Sequence, residues 1–238
     1  MNNNENNENN QLTPVEKDGK YGFIDKNNNI VIALEYNYAG FFNEELATVR
    51  KDTKYGFVDK NNNIVIALEY DDTDNFYEGL ARVKKGKRWG FIDKTGKVVI
   101  PLKYNYASNF YEGLARVKED YKWGFIDKTG NIVIPIQYEA AGDFREGLAV
   151  IRKADRRSFI DKTGKVVFHI EYDGIQIFNE DLAAVKKNDK WGFIDKKGIL
   201  VIPLKYGWAG TFAGEEATVK KDDEWFKIDK SGNVLRRL

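Results

Sequence analysis

The stretch KWGFIDKTGNIVIP occupies residues 122–135, and a near copy, RWGFIDKTGKVVIP, occupies residues 88–101. The same core returns as YGFID at 21, YGFVD at 55, WGFID at 89, 123 and 191, RSFID at 157 and WFKID at 225, always 34 residues apart. The phase extends upstream, where LTPV at 12 aligns with LATV at 46, LARV at 80 and 114, LAVI at 148, LAAV at 182 and EATV at 216. Self-similarity at a fixed period marks a repeat architecture, so one small unit and its stacking decide the fold. The repeats run 12–45, 46–79, 80–113, 114–147, 148–181 and 182–215, with a shortened seventh at 216–238.

The period alone also suits helical pairs, but the pattern inside the repeat does not. LARV, WGFID and KVVIP are short runs of β-branched and aromatic residues separated by polar tips, which predicts three strands joined as an antiparallel meander. The tip DKTG accounts for the most regular residues: Asp25, Asp59, Asp93, Asp127, Asp161, Asp195 and Asp229 stand first, and Asn or Gly stands three positions later. A type I turn followed by a left-handed residue wants Asp to accept backbone N–H groups and Gly or Asn where φ is positive. A calcium reading of Asp25, Asn27 and Asn29 fails on the loop template, which needs a glycine at the sixth position and a bidentate Glu where Tyr36 stands.

After the third strand a connector returns the chain to the next repeat. It carries a tyrosine column (Tyr36, Tyr70, Tyr104, Tyr138, Tyr172, Tyr206) and a phenylalanine column (Phe42, Phe76, Phe110, Phe144, Phe178, Phe212). Large apolar residues at matched depth predict packing between repeats, with an aromatic ligand groove as the sharper alternative. Neighbouring strand residues point to opposite faces, yet Phe125 and Ile126, and Ile132, Val133 and Ile134, are all apolar. Both faces of each sheet are therefore expected to be covered by stacking. The expected fold is all-β: an open β superhelix or solenoid of seven meanders, with a seven-bladed propeller as the alternative. Lys227, Arg236 and Arg237 at apolar positions of the last repeat favour a polar cap and hence the open form.

Composition bounds the function. The chain has 238 residues, 42% of them hydrophobic, which suffices for a sizeable core. Thirty-eight basic residues oppose 37 acidic ones, so no global field steers the protein toward nucleic acid or membrane. No cysteine and one histidine exclude disulfides, thiol chemistry and the usual zinc sites. The start, MNNNENNENNQ, resembles no secretory signal, and an Asn/Glu tract of this kind predicts disorder over residues 1–11. The expected location is cytoplasmic, the expected state a monomer, and no cofactor or metal is called for.

KWGFIDKTGNIVIP followed by YEAAGDFREGLAVI resembles the bacterial WG-repeat (KWG-repeat) proteins, whose unit reads W-G-[FY]-I-D-x-x-G-x-x-V-I-P, then Y, then F-x-E-G-L-A-x-V. The resemblance covers residues 12–238 and implies an all-β repeat array that mediates interactions and carries no catalytic residues. Departures are Tyr21 and Tyr55 for tryptophan, Arg157 and Ser158 for Trp-Gly, and Phe226 for glycine.

Two places could carry function. Repeat five breaks the pattern with Arg157, Ser158 and the sole histidine, His169. Ser158 and His169 invite a hydrolase reading, but Ser158 lies in no nucleophile elbow and no third residue is placed to orient the imidazole, so drift of one repeat is the plainer reading. The second place is the set of hairpin tips KKGKR at 84–88, RKADRR at 152–157 and KKNDK at 186–190. Lys84, Lys85, Lys87, Arg88, Arg152, Lys153, Arg156 and Arg157 would form the densest part of a basic edge able to meet RNA or an acidic protein face, whereas lysines on tips also serve simply to prevent edge aggregation. A partner bound through aromatic contacts would instead use the connector around Tyr104, Phe110 and Tyr111. The expected function is a non-catalytic scaffold for an unidentified partner protein, with binding or inhibition of a nucleic acid or nucleoprotein as the alternative.

Overall fold

The computed structural model describes residues 12–238, so the Asn/Glu tract at 1–11 lies outside the described residues. The chain forms two compact halves, one ending at Ile132 and the other running from Val133 to Leu238. Each is built from small antiparallel sheets that follow the 34-residue period, and no helix occurs among the described residues.

Repeat three shows the construction. Its first strand, Leu80–Lys85, pairs with the second, Arg88–Asp93, which pairs with the third, Val98–Tyr104. A fourth strand, absent from the three-stranded expectation, comes from the connector of the preceding repeat: Asp72–Thr73 pairs with Lys84 and Val83. This lead strand recurs at Tyr38–Ala39, Tyr106–Ala107, Ala140–Ala141, Gly174–Ile175 and Trp208–Ala209, and only the first sheet lacks one among the described residues. Each such sheet therefore combines strands from two sequence repeats.

The glycine after the tryptophan or tyrosine has a steric cause. A Cβ on Gly90 would sit 2.5 Å from the Ile100 carbonyl oxygen and 2.7 Å from the Leu102 nitrogen, and Gly22, Gly56 and Gly192 are crowded in the same way. Only a hydrogen fits, which lets the third strand fold across the second with two register shifts and run to Tyr104 opposite Trp89. Repeats keeping this glycine have third strands of seven residues, such as Ile64–Tyr70 and Leu200–Tyr206. Repeat five, with Ser158 there, has a third strand of four residues, Val166–His169, and a single register shift.

The turns follow the sequence reading. Asp93 Oδ1 accepts the backbone N–H groups of Thr95 and Lys97 at 2.9 and 3.1 Å, and Gly96 adopts φ +84°. In repeat one the Asp25 carboxylate is occupied by Asn27 and Asn29 at 2.8 and 2.9 Å, with Asn28 at φ 64°, so it acts as a turn acceptor. The Asn29 side-chain amide, and then its backbone N–H, hold the Asp25 carboxyl below the ordinary aspartate range.

Phenylalanines of the second strand and connector meet at ring-centroid distances of 4.8 Å for Phe57–Phe76 and Phe91–Phe110, and 5.0 Å for Phe193–Phe212. Around them one sheet packs on the next: Phe57, Ile66 and Tyr70 share a core with Ala81, Val83 and Ile92. Tyr36 reaches forward, its hydroxyl donating to Asn62 Oδ1 at 2.7 Å in the turn of repeat two. A glutamate clamp adds to this. The Glu44 carboxylate accepts the Gly79 N–H at 3.1 Å and pairs with Lys94 at 3.1 Å, and Glu180 does the same for Gly214, Glu215 and Lys230. Backbone donation from Glu215 and Gly214 and the nearby Lys230 ammonium outweigh desolvation and hold the Glu180 carboxyl below the ordinary glutamate range.

The expectation that both sheet faces are covered holds for the first two strands and fails for the third. Phe125 and Ile126 are buried, as are Phe91 and Ile92, but of Ile132, Val133 and Ile134 only Ile134 is. Among the described residues the third strand is a sheet edge, and its first residues are exposed.

Candidate binding surfaces

The basic tips divide four and four between the two halves. In the N-terminal half, Lys85 pairs with Glu69 at 2.9 Å, Arg88 donates to the Lys103 carbonyl at 2.9 Å, and Lys84 lies 5.8 Å from the Trp89 ring centroid. Lys87 occupies the exposed turn. In the C-terminal half, Arg152 lies 3.4 Å from a Glu139 oxygen, Arg157 donates to the Tyr172 carbonyl at 2.8 Å, and Lys153 donates to Gln137 Oε1 at 2.6 Å. Arg156 is exposed at the start of its strand. Much of this positive charge is thus answered locally, by carboxylates and carbonyls near the neighbouring third strand.

The connector aromatics are placed differently from the surface reading. Tyr104 and Phe110 are 0% and 1% exposed, which corrects their assignment to a contact surface: both are core, and neither ring is offered to a partner. The Tyr104 hydroxyl is buried without a hydrogen-bond partner among the described residues. The following turn carries Gly130 where the turn facing Tyr36 carries Asn62, so the amide that Tyr36 uses has no counterpart. Tyr111 is half-buried, its ring 6.0 Å from Tyr77.

A row of aromatics runs through the lead strand and the second strand to one tip, with Trp89 buried and Tyr106 and Trp123 half-buried. Trp89, Tyr106 and Trp123 follow one another at 6.0 and 5.4 Å, with the Arg82 and Arg116 guanidiniums 4.8 and 5.0 Å from the Trp89 and Trp123 centroids. Tyr121, 85% exposed at φ 66°, stands at the tip and borders a cavity of about 490 Å³ with Tyr106, Lys118 and Trp123. The one available sequence signal was an aromatic residue in a left-handed turn position that ordinarily takes Gly or Asn. A second missed set is the residue after each column tyrosine. Asn37, Asn105 and Asp173 accept the N–H of Asp52, Asp120 and Asn188 at 2.7, 3.2 and 3.0 Å and so hold the hairpin tips.

Repeat five brings its unusual residues together. Ser158 pairs across the sheet with His169, and Ser158 Oγ lies 2.7 Å from His169 Nδ1. The serine is 3% exposed, while the imidazole is exposed. Both border a cavity of about 600 Å³ with Lys153 and Arg156, and no carboxylate lines it that would orient the imidazole as in a catalytic triad. Among the described residues no group of three or more His, Cys, Asp or Glu is arranged to hold a metal ion, and no helix is long and apolar enough to cross a membrane.

The most frequent outward feature is apolar. Ile30 and Val31, Ile64 and Val65, Ile132 and Val133, Val166 and Val167, Leu200 and Val201, and Val234 and Leu235 are exposed at the start of the third strands.

A family model described as "WG containing repeat" matches residues 21–55, 55–89, 89–123, 123–156, 158–191 and 191–225. A search of curated proteins gives no match. Among solved structures, a eukaryotic initiation factor is similar at 11% identity, covering 95% of this chain and 73% of that one with a TM-score of 0.63. Hsv2 of Kluyveromyces lactis with its loop 6CD replaced by a Gly-Ser linker is similar at 8% identity, covering 97% and 96% with a TM-score of 0.51. At such identities the likeness concerns the fold alone.

Proposed function

The chain belongs to the family of WG-containing repeats between residues 21 and 225, and from that premise we propose that it is a non-catalytic scaffold that binds a partner protein along the third strands of its sheets. The observation that carries this reading is the exposed apolar pair opening six of those strands, from Ile30 and Val31 to Val234 and Leu235. Each such strand is a sheet edge. Unpaired main-chain groups at an edge invite an added strand, and exposed side chains beside them supply specificity. The nucleic-acid alternative draws less support, because Lys85 and Arg152 already face Glu69 and Glu139.

The open stack is proposed over the closed ring of blades. Its support is in the sequence: Lys227 and Arg236 stand where the other repeats carry phenylalanine and mostly isoleucine. A compact globule of this length has a radius of gyration near about 18 Å, and small-angle scattering giving a value above about 20 Å is the outcome expected of the stack.

The functional test compares three proteins as bait in a lysate of the native host: wild type, a variant with Ile64, Val65 and Val98 replaced by threonine, and a variant with all eight basic tip residues replaced by serine. The expected result is one protein retained by wild type and by the tip variant at high salt, and lost by the third-strand variant. Loss from the tip variant instead, with retention that falls steeply as salt rises, would transfer the function to the basic edge and to nucleic acid.

A further inference from the structure

The repeats supply their own controls, because the same slot can be inspected several times. One slot joins the last lysine of the first strand to a side chain on the third strand. Across repeats one and two it is filled by Lys51 with Glu35, and across repeats two and three by Lys85 with Glu69, both at 2.9 Å, whereas Lys103 and Lys205 hold the third-strand position in repeats three and six. In the C-terminal half the equivalent pair is Lys153 with Gln137, at 2.6 Å. The geometry is kept and the carboxylate is replaced by a neutral amide. Lys153 therefore keeps its charge uncompensated by that partner.

This lysine borders the cavity of about 600 Å³ that also receives Arg156, Ser158 and His169. Its remaining ionisable lining group is the Tyr138 phenol, and no aspartate or glutamate lines it. Glu139, next to Gln137 in sequence, is turned to other work: it accepts the Ala154 N–H at 3.3 Å and faces Arg152 at 3.4 Å. Ser158 and His169 replace the glycine and the proline or alanine of other repeats, and they meet each other at this cavity. Three features (an amide facing Lys153 where Glu35 and Glu69 face Lys51 and Lys85, serine for glycine, histidine for proline or alanine) thus converge on one recess. Ile151 and Val166 give it apolar wall.

We propose that this recess in repeat five is a binding site for a small phosphomonoester, the phosphate held by Arg156, Lys153 and the Ser158–His169 pair and the organic group resting on Ile151 and Val166. A dianion suits a site with two permanent cations and an imidazole better than a monoanion does, and a guanidinium fork matches phosphate oxygens in pairs. The volume lies within the range of small-ligand sites. This inference is independent of the third-strand scaffold reading, since neither the apolar edge pairs nor a protein partner enters it.

The chain holds a single histidine, so its imidazole gives one resolved set of NMR signals that reports on the site directly. Full-length protein is titrated with phenyl phosphate, with inorganic phosphate and benzoate as comparison probes. The expected result is a saturable displacement of the His169 signals by phenyl phosphate, with at least about tenfold weaker binding of benzoate, which lacks the second charge. Gln137→Glu restores the ion pair that repeats one and two already tolerate, so it is expected to fold normally and to weaken phenyl phosphate binding by about tenfold or more. Arg156→Ser, at an exposed strand end, is expected to do the same. Absence of saturation, equal binding of benzoate and phenyl phosphate, equal binding of inorganic phosphate, or unchanged affinity in Gln137→Glu would each overturn the assignment.

Discussion

Repeats three and five share the run FIDKTGKVV, at residues 91–99 and 159–167, and differ at the crowded position just before it. In repeat three Gly90 lies under the Ile100 carbonyl, where a Cβ would be 2.5 Å away, and the third strand continues to Tyr104. In repeat five Ser158 occupies that place, the first register shift is lost, and the strand ends at His169, with one further main-chain bond from the Ile170 N–H to the Arg157 carbonyl. The glycine is thus a clearance requirement that sets how far the third strand can travel across the second. Where the clearance is lost, the strand shortens, a serine and a histidine face each other, and a recess opens.

The comparison is broken most severely through the core both repeats share. Phe91→Ala is expected to cost about 3–5 kcal/mol, because the ring is fully buried and faces Phe110. Phe159→Ala is expected toward the lower end of that range, because Phe159 already borders an open groove beside Phe178. Denaturant unfolding of both variants checks this, and equal losses would mean that repeat five is packed as well as repeat three.

Next in size is the glycine itself. Gly90→Ser is expected to cost about 3 kcal/mol through backbone displacement, whereas Ser158→Gly stays within about 1 kcal/mol because its surroundings have already moved apart. A tolerated Gly90→Ser would remove the clearance argument.

Acid is expected to treat the two repeats alike. Hydrogen bonds from Thr95 to Asp93, and from Thr163 to Asp161, hold both carboxyls below the ordinary aspartate range, outweighing desolvation. Groups depressed in the folded state contribute stability above their unfolded pKa, near about 4, and that contribution is lost as pH falls through the folded value. Carboxyl NMR titration is expected to place both below a peptide aspartate, and a normal Asp161 would show that the turn of repeat five has loosened along with its strand.

The finest distinction uses the tyrosine column outside repeat five. Tyr36→Phe removes a hydrogen bond to Asn62 and leaves that amide oxygen short of a donor, so a loss of about 1 kcal/mol is expected. Tyr104→Phe removes a buried hydroxyl that has no partner among the described residues, and a gain of similar size is expected. Shifts of the same sign in thermal unfolding would contradict the partner assignment.

These contrasts mark what the sequence could convey. The period, the turn aspartates and the left-handed residue after them were legible because each follows from local backbone chemistry repeated seven times. The lead strand was not, since two residues such as Asp72 and Thr73 carry no alternation to detect. Val133 was misassigned with Ile134 for a related reason: an apolar run says that both faces are apolar, and only the neighbours decide which face is covered. Tyr104 and Phe110 were correctly read as a column, but matched depth fits a groove and a core equally well. Repeat five was recognised as irregular, yet nothing in one dimension reveals that Ser158 lies opposite His169 or that Gln137 faces Lys153 as Glu35 and Glu69 face Lys51 and Lys85.

The lead strand has a consequence for how such a chain can change its length. Because a sheet borrows two residues from the repeat before it, the folding unit is offset from any frame drawn on the sequence. Tandem duplication or loss of 34 codons nevertheless leaves every borrowed strand followed by a first strand able to receive it, wherever the crossover falls. Unequal recombination therefore needs no favoured breakpoint to keep each lead strand next to a first strand that can receive it.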